Sequence, residues 1–198
     1  MNPKRKIRQN STKFGKFRQI GANKVRDYRA DASISDNHGA TCLYFAVKER
    51  NANAVRLLLG AGLDPNGAGP NGWSYLHGAA AAGDCSVLRA LIASGANLGA
   101  TVEDGLTPLH MAAWRGHADA TMDIIDAGAT PHVGTPRLDL TPLHRAAEHG
   151  HAKTVQFLLQ RGALADHASR QGRSAVWLAA RGGHISTLEE LLRWPAGV

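Results

Sequence analysis

Much is scarce in this sequence of 198 residues, and each scarcity removes a class of protein. Its two cysteines, Cys42 and Cys85, cannot form the multiple-bridge framework of a small secreted domain, and both are expected to stay reduced in a reducing compartment. No run of 18 or more apolar residues occurs, so no segment has the length to span a bilayer as a helix. The first residues lack the apolar stretch of a secretory signal, which is therefore not expected. A nucleophile elbow, a phosphate-binding loop and paired catalytic carboxylates are missing as well. The glycine-rich run Gly67-Ala68-Gly69-Pro70-Asn71-Gly72 has the composition of a turn.

Acidic residues are scarce only at one end. Residues 1–29 hold ten lysines and arginines against Asp27 alone, a charge of +9, whereas the remainder carries 13 basic and 15 acidic residues, a charge of −2. The overall +7 thus describes neither part. Residues 1–19 are basic, polar and poor in apolar periodicity, and are expected to form a disordered arm. Lys4, Arg5, Lys6 and Arg8 make its densest cluster, suited to nucleic acid, to an anionic lipid surface, or to nuclear import in a eukaryote. A solvated tail or an organelle-targeting presequence is the remaining reading.

What is abundant is repetition. The stretch Asp104-Gly105-Leu106-Thr107-Pro108-Leu109-His110-Met111-Ala112-Ala113-Trp114-Arg115-Gly116-His117 joins a turn dipeptide to a helix start. Thr107 can cap, Pro108 occupies the first helical position, where its missing N–H costs nothing, and Gly116 ends the run. Thr141-Pro142-Leu143-His144-Arg145-Ala146-Ala147-Glu148-His149-Gly150-His151 repeats it. Looser copies begin at Thr41, Ser74 and Ser174, so the capping hydroxyls are separated by 33, 33, 34 and 33 residues. A second helix in each copy carries a paired apolar run, such as Leu57-Leu58-Leu59 or Phe157-Leu158-Leu159, and stops at a glycine such as Gly95, Gly128 or Gly162. Alanine pairs (Ala79-Ala80, Ala112-Ala113, Ala146-Ala147, Ala179-Ala180) let successive first helices approach closely. One helix pair cannot bury its apolar face alone, so the period predicts a stacked array with a continuous core.

The combination Gly105-Leu106-Thr107-Pro108-Leu109-His110, Ala112-Ala113, Gly116-His117 and Gly128-Ala129, repeated in phase through Gly162-Ala163, resembles the ankyrin repeat. The resemblance covers roughly residues 36–194 and implies a mainly α fold, an ankyrin-repeat solenoid of stacked helix-turn-helix units with β-hairpin or loop tips. Five repeats are expected at about 36–68, 69–101, 102–134, 135–168 and 169–194, after a capping half-repeat over 20–35 and before a tail at 195–198. Pro195 and the polar pair Glu189-Glu190 are expected to close the array, which reads as complete. Departures are local. Asp139 replaces a turn glycine where the spacing lengthens to 34, so Pro131 to Leu140 is expected to be irregular. Arg50-Asn51 stands where other copies have Gly-His, and Trp177 where they have the motif histidine.

Six of the ten histidines fall on repeat positions: His77, His110 and His144 after the leucine, His117, His151 and His184 after the glycine. The resemblance implies structural roles for them, the first set bonding the local hydroxyl and neighbouring backbone. His144, Glu148, His149 and His151 lack the His-Glu-x-x-His spacing, so no metal, cofactor or catalytic site is expected and the chain is not expected to be an enzyme.

The resemblance further implies that partners meet the hairpin tips and the exposed first-helix positions. On those positions stand Trp73, Leu106, Met111, Trp114, Arg115, Arg145, His149, Arg173 and Arg181, a composition typical of interface cores. The competing reading has the aromatics packing between repeats. The expected function is a protein–protein interaction scaffold or adaptor, monomeric and cytoplasmic, that binds another protein. The alternative is a nucleic-acid-associated regulator, or a microbial host-directed effector, whose basic arm adds electrostatic affinity.

Overall fold

The computed structural model describes residues 35–194. The basic arm at 1–19, the half-repeat at 20–35 (save Ser35) and the tail at 195–198 lie outside the described residues. Ten α-helices follow one another among the described residues: α1 Cys42–Lys48, α2 Ala52–Gly60, α3 Tyr75–Ala82, α4 Cys85–Ala93, α5 Pro108–Arg115, α6 Ala118–Asp126, α7 Pro142–Glu148, α8 Ala152–Gln160, α9 Ala175–Arg181 and α10 Ile185–Leu192. None is long and apolar enough to cross a membrane. Odd-numbered helices pack on odd-numbered neighbours and even on even, and each pair is also joined internally, which is the expected stacked solenoid.

The first helices start where the hydroxyls predict. Thr41, Ser74, Thr107, Thr141 and Ser174 each accept the backbone N–H three residues on. At Thr107 and Thr141 the cap is reciprocal: the ring of His110 or His144 accepts the cap residue's own N–H. Histidine here does the work that glutamate or glutamine does in the usual capping box. Among the second helices, Asn51 and Asp84 cap with their side chains, whereas His117, His151 and His184 do not. Those three rings are engaged elsewhere.

The tips are loops closed by short-range bonds, with isolated antiparallel bridges at Ala68–Ser74 and Ala168–Ser174. Pro131 to Leu140 is irregular, as its extra residue requires. Asp139 takes φ +55, the Thr135 N–H donates to the Leu140 carbonyl, and the Leu140 N–H donates back to Thr135 Oγ1. The Asp139 carboxylate also meets His167 Nε2 at 3.2 Å, tying this tip to the next.

The core runs in two overlapping clusters, one from Cys42 to Ile124 and one from Ala113 to Leu191. The alanine pairs of α3, α5 and α7 are buried, which lets neighbouring first helices pack backbone to backbone. The apolar runs of the second helices are core only in part, since Leu57 and Leu192 face outward. Cys42 is buried, Cys85 is half-buried, and they do not pair with each other.

Candidate partner-binding face

Two ladders of histidines tie each copy to its neighbours and so fix which side chains are left over. His77, His110 and His144 donate forward from Nε2 to the carbonyls of Leu106, Leu140 and Arg173, at 3.0, 2.9 and 3.0 Å. The Thr107 and Thr141 N–H groups donate to Nδ1 of His110 and His144, which places the remaining ring proton on Nε2. His117, His151 and His184 reach backward from Nε2 to the carbonyls of Ala81, Trp114 and Glu148, at 3.1, 2.9 and 3.0 Å. Each of these rings lies over a glycine of the copy before. A Cβ at Gly83 or Gly150 would sit 2.5 Å from Nδ1 of His117 or His184, and one at Gly116 would collide with His151.

Burial pushes His77, His144 and His151 below the ordinary imidazole range, and His110 down to about 4. At His110 and His144 the neutral ring is the form that both bonds require, since Nδ1 accepts while Nε2 donates. Among the described residues no three His, Cys, Asp or Glu side chains converge on a metal-sized site.

What the repeat leaves free are three positions on one side of each first helix, four, seven and eight residues after the capping hydroxyl, a spacing that shares a helix face. In the third copy these are Met111, Trp114 and Arg115. Met111, expected on the partner-facing surface, is instead 0 % exposed and belongs to the core. A flexible thioether chain beside alanine-rich helices folds into the gap between them. Leu178, in the same slot of the fifth copy, is buried too. Trp114 is half-buried: its ring packs against the core, while its indole N–H donates to His149 Nε2 at 2.8 Å. The Arg115 guanidinium lies 5.1 Å from the Trp114 ring centre. His149 donates from Nδ1 to the Arg145 carbonyl at 3.1 Å, and Arg145 pairs with Glu148 at 3.2 Å. Four of the expected residues, Trp114, Arg115, Arg145 and His149, thus form one connected cluster across α5 and α7.

A second cluster sits on the fifth copy. Trp177 is 43 % exposed, with the guanidinium groups of Arg173 and Arg181 at 4.8 and 5.6 Å from its ring. Trp73 and Leu106 are half-buried on their tips, packed against the core, so for these two the inter-repeat packing reading holds in part. Leu106 also supplies the carbonyl that His77 uses. Lys4, Arg5, Lys6 and Arg8 lie outside the described residues.

The second copy has no bulky residue at its three free slots, which are Gly78, Ala81 and Ala82. The structure has a cavity of about 360 Å³ there, walled by Tyr44, Val47, Trp73 and Tyr75 and edged by Lys48 and Arg115. The signal in the sequence was a lack, three small residues where other copies carry Phe45, Met111, Trp114, Arg145 or Arg181.

Comparison with protein families places models over most of the described array. A model of three ankyrin repeats matches residues 109–197, one of multiple ankyrin repeats matches 76–122, and a single ankyrin repeat matches 38–68. No curated protein matches the sequence. With the period, the caps and the histidine ladders in phase with these matches, the chain belongs to the ankyrin-repeat family, whose repeats are generally protein–protein interaction modules.

Proposed function

We propose that the chain is a non-enzymatic scaffold or adaptor that binds another protein through its loop tips and the first-helix face. The observation that carries this reading is the Trp114–His149–Arg115 cluster. A tryptophan held by one hydrogen bond and one stacked guanidinium, with part of its ring still accessible, loses little entropy when a partner covers it. Nothing in the histidine ladders requires a tryptophan at this slot, where other copies carry Lys48, Ala81, Glu148 and Arg181.

The test uses a partner recovered with the full chain. Trp114→Ala is expected to weaken that complex by about 2 kcal/mol or more, roughly thirtyfold, with only a modest fall in melting temperature because the ring is half-buried. A variant that melts early and binds normally would mark Trp114 as a packing residue and sink the assignment.

A second reading rests on the +9 charge of residues 1–29. In it the chain is a nucleic-acid-associated regulator, or an effector acting on a host, with the arm supplying affinity by counterion release. Deleting residues 1–19 and measuring nucleic-acid binding at two salt concentrations tests it. Binding that is absent, or indifferent to salt, removes this reading.

A further inference from the structure

The second copy carries only small residues at the three slots that the ladders leave free. Position 78 is glycine where its equivalents are Phe45, Met111, Arg145 and Leu178, and positions 81 and 82 are alanines. Glycine in the interior of α3 carries a helix-propensity penalty, and nothing in the packing requires it. A Cβ built on Gly78 meets only Val47 Cγ1, at 3.7 Å, an ordinary contact. The missing side chains leave the 360 Å³ cavity, a size within the range of small-ligand sites.

Its walls are held in place. The Tyr44 ring rests on Gly69, where a Cβ would collide with it. Tyr75 rests on Gly67, and its hydroxyl meets Thr41 Oγ1 at 2.7 Å. Asn71 Oδ1 accepts the Trp73 N–H at 3.2 Å and so fixes the tip that carries the indole. The glycine-rich loop is therefore more than a turn: its missing side chains admit the two tyrosines.

Charge decides what such a cavity holds. Lys48 and Arg115 stand at its edge, each over an aromatic ring (Tyr44 at 6.0 Å, Trp114 at 5.1 Å), and neither pairs with a described carboxylate. Among the described residues no acidic side chain lines the cavity. Resting on the scaffold reading above, we infer that this cavity binds an acidic peptide segment of a partner protein, taking one large apolar side chain onto the Gly78 floor while flanking Asp or Glu carboxylates meet Lys48 and Arg115.

The probe is a displayed library of short random peptides selected on the full chain, with the enriched sequences then synthesised and titrated. Enriched peptides are expected to carry an aromatic or large aliphatic residue beside Asp or Glu, and to lose binding when those acids become lysine. Gly78→Met, which fills the floor with the residue that the third copy carries, is expected to reduce their affinity at least about tenfold with no fall in melting temperature. Lys48→Glu/Arg115→Glu is expected to abolish binding. Enrichment of peptides without carboxylates, undiminished binding to Gly78→Met, or no enrichment at all would each overturn the inference. Peptides that respond to Trp114→Ala but not to Gly78→Met overturn the cavity and leave the scaffold reading standing. Peptides indifferent to every first-helix substitution overturn both.

Discussion

The fourth and fifth copies follow one sequence rule and end in different environments. Ala147 is buried, while its equivalent Ala180 is exposed. Leu159 is 3 % exposed and its equivalent Leu192 is 72 % exposed. His144 reaches the carbonyl of Arg173 in the copy beyond it; Trp177, in the same slot, has no described copy beyond it and lies between two arginines. Of the large exposed apolar side chains, Trp177, Ile185, Leu192 and Trp194 all belong to the fifth copy. In a stacked array the apolar pattern of a helix states what it can bury, and the neighbour determines whether it does.

The comparison breaks if equivalent residues contribute equally. Leu159→Ala is expected to cost about 2–5 kcal/mol in denaturant unfolding, because it opens a cavity between two copies. Leu192→Ala, with the same residue in the same slot, is expected to cost less than about 0.5 kcal/mol. Similar losses at the two sites would mean that the outer side of the fifth copy is covered in solution.

Acid sharpens the same contrast. The pKa of His110 is about 4 in the folded chain against 6.5 unfolded, because burial disfavours the imidazolium. The unfolded state therefore binds more protons between those values, and the stabilisation present above pH 6.5 is lost as pH falls toward 4. His110 alone accounts for about 2 kcal/mol between pH 7 and pH 5, with His77, His144 and His151 shifted in the same direction. His110→Gln is expected to flatten the profile over that window. Trp177→His, an imidazole in the same slot with no described carbonyl beyond it, is expected to leave it unchanged. A wild-type stability that stays level from pH 7 to pH 5 would contradict the buried neutral ladder.

These contrasts also mark how much of the fold the residues state by themselves. The caps at Thr107 and Thr141, the alanine pairs of α3, α5 and α7 and the glycine stops at Gly95, Gly128 and Gly162 are local or periodic signals, and each lies where the spacing put it. The irregular tip at Asp139 was legible as one extra residue. Met111 was not, because a first-helix slot next to small neighbours admits a long apolar side chain inward, and its sequence cannot say which way it folds. The hydrogen bond from Trp114 to His149 joins residues 35 apart and depends on the rise between stacked helices. The Gly78 cavity was not legible, because bulk is what marks a contact residue and this site is made by a glycine and two alanines.

The first copy tests whether the ladder itself is a matched unit. In the interior, Gly83, Gly116 and Gly150 take positive φ and have no Cβ under the next copy's histidine. Arg50 holds the same slot with φ +55, and the residue of the second copy that would crowd it is Asp84, not histidine. Asp84 meets the Arg50 guanidinium at 3.5 Å and caps α4 by accepting the N–H groups of Ser86 and Val87. Gly-His and Arg-Asp are thus two solutions of one joint, the first by close approach and the second by charge. Left-handed backbone costs a residue with a Cβ roughly 1 kcal/mol, and the exposed ion pair offsets about 0.2–1 kcal/mol of that. Arg50→Gly alone is therefore expected to change stability by under about 1 kcal/mol, and Asp84→His alone to destabilise, since it removes the cap and sets a ring against the Arg50 Cβ. The cap loss is common to both arms of a double-mutant cycle and cancels. Arg50→Gly/Asp84→His is then expected to be more stable than the sum of its parts by about 1 kcal/mol, and additive effects would mean that the interior glycines are there for their backbone angle alone.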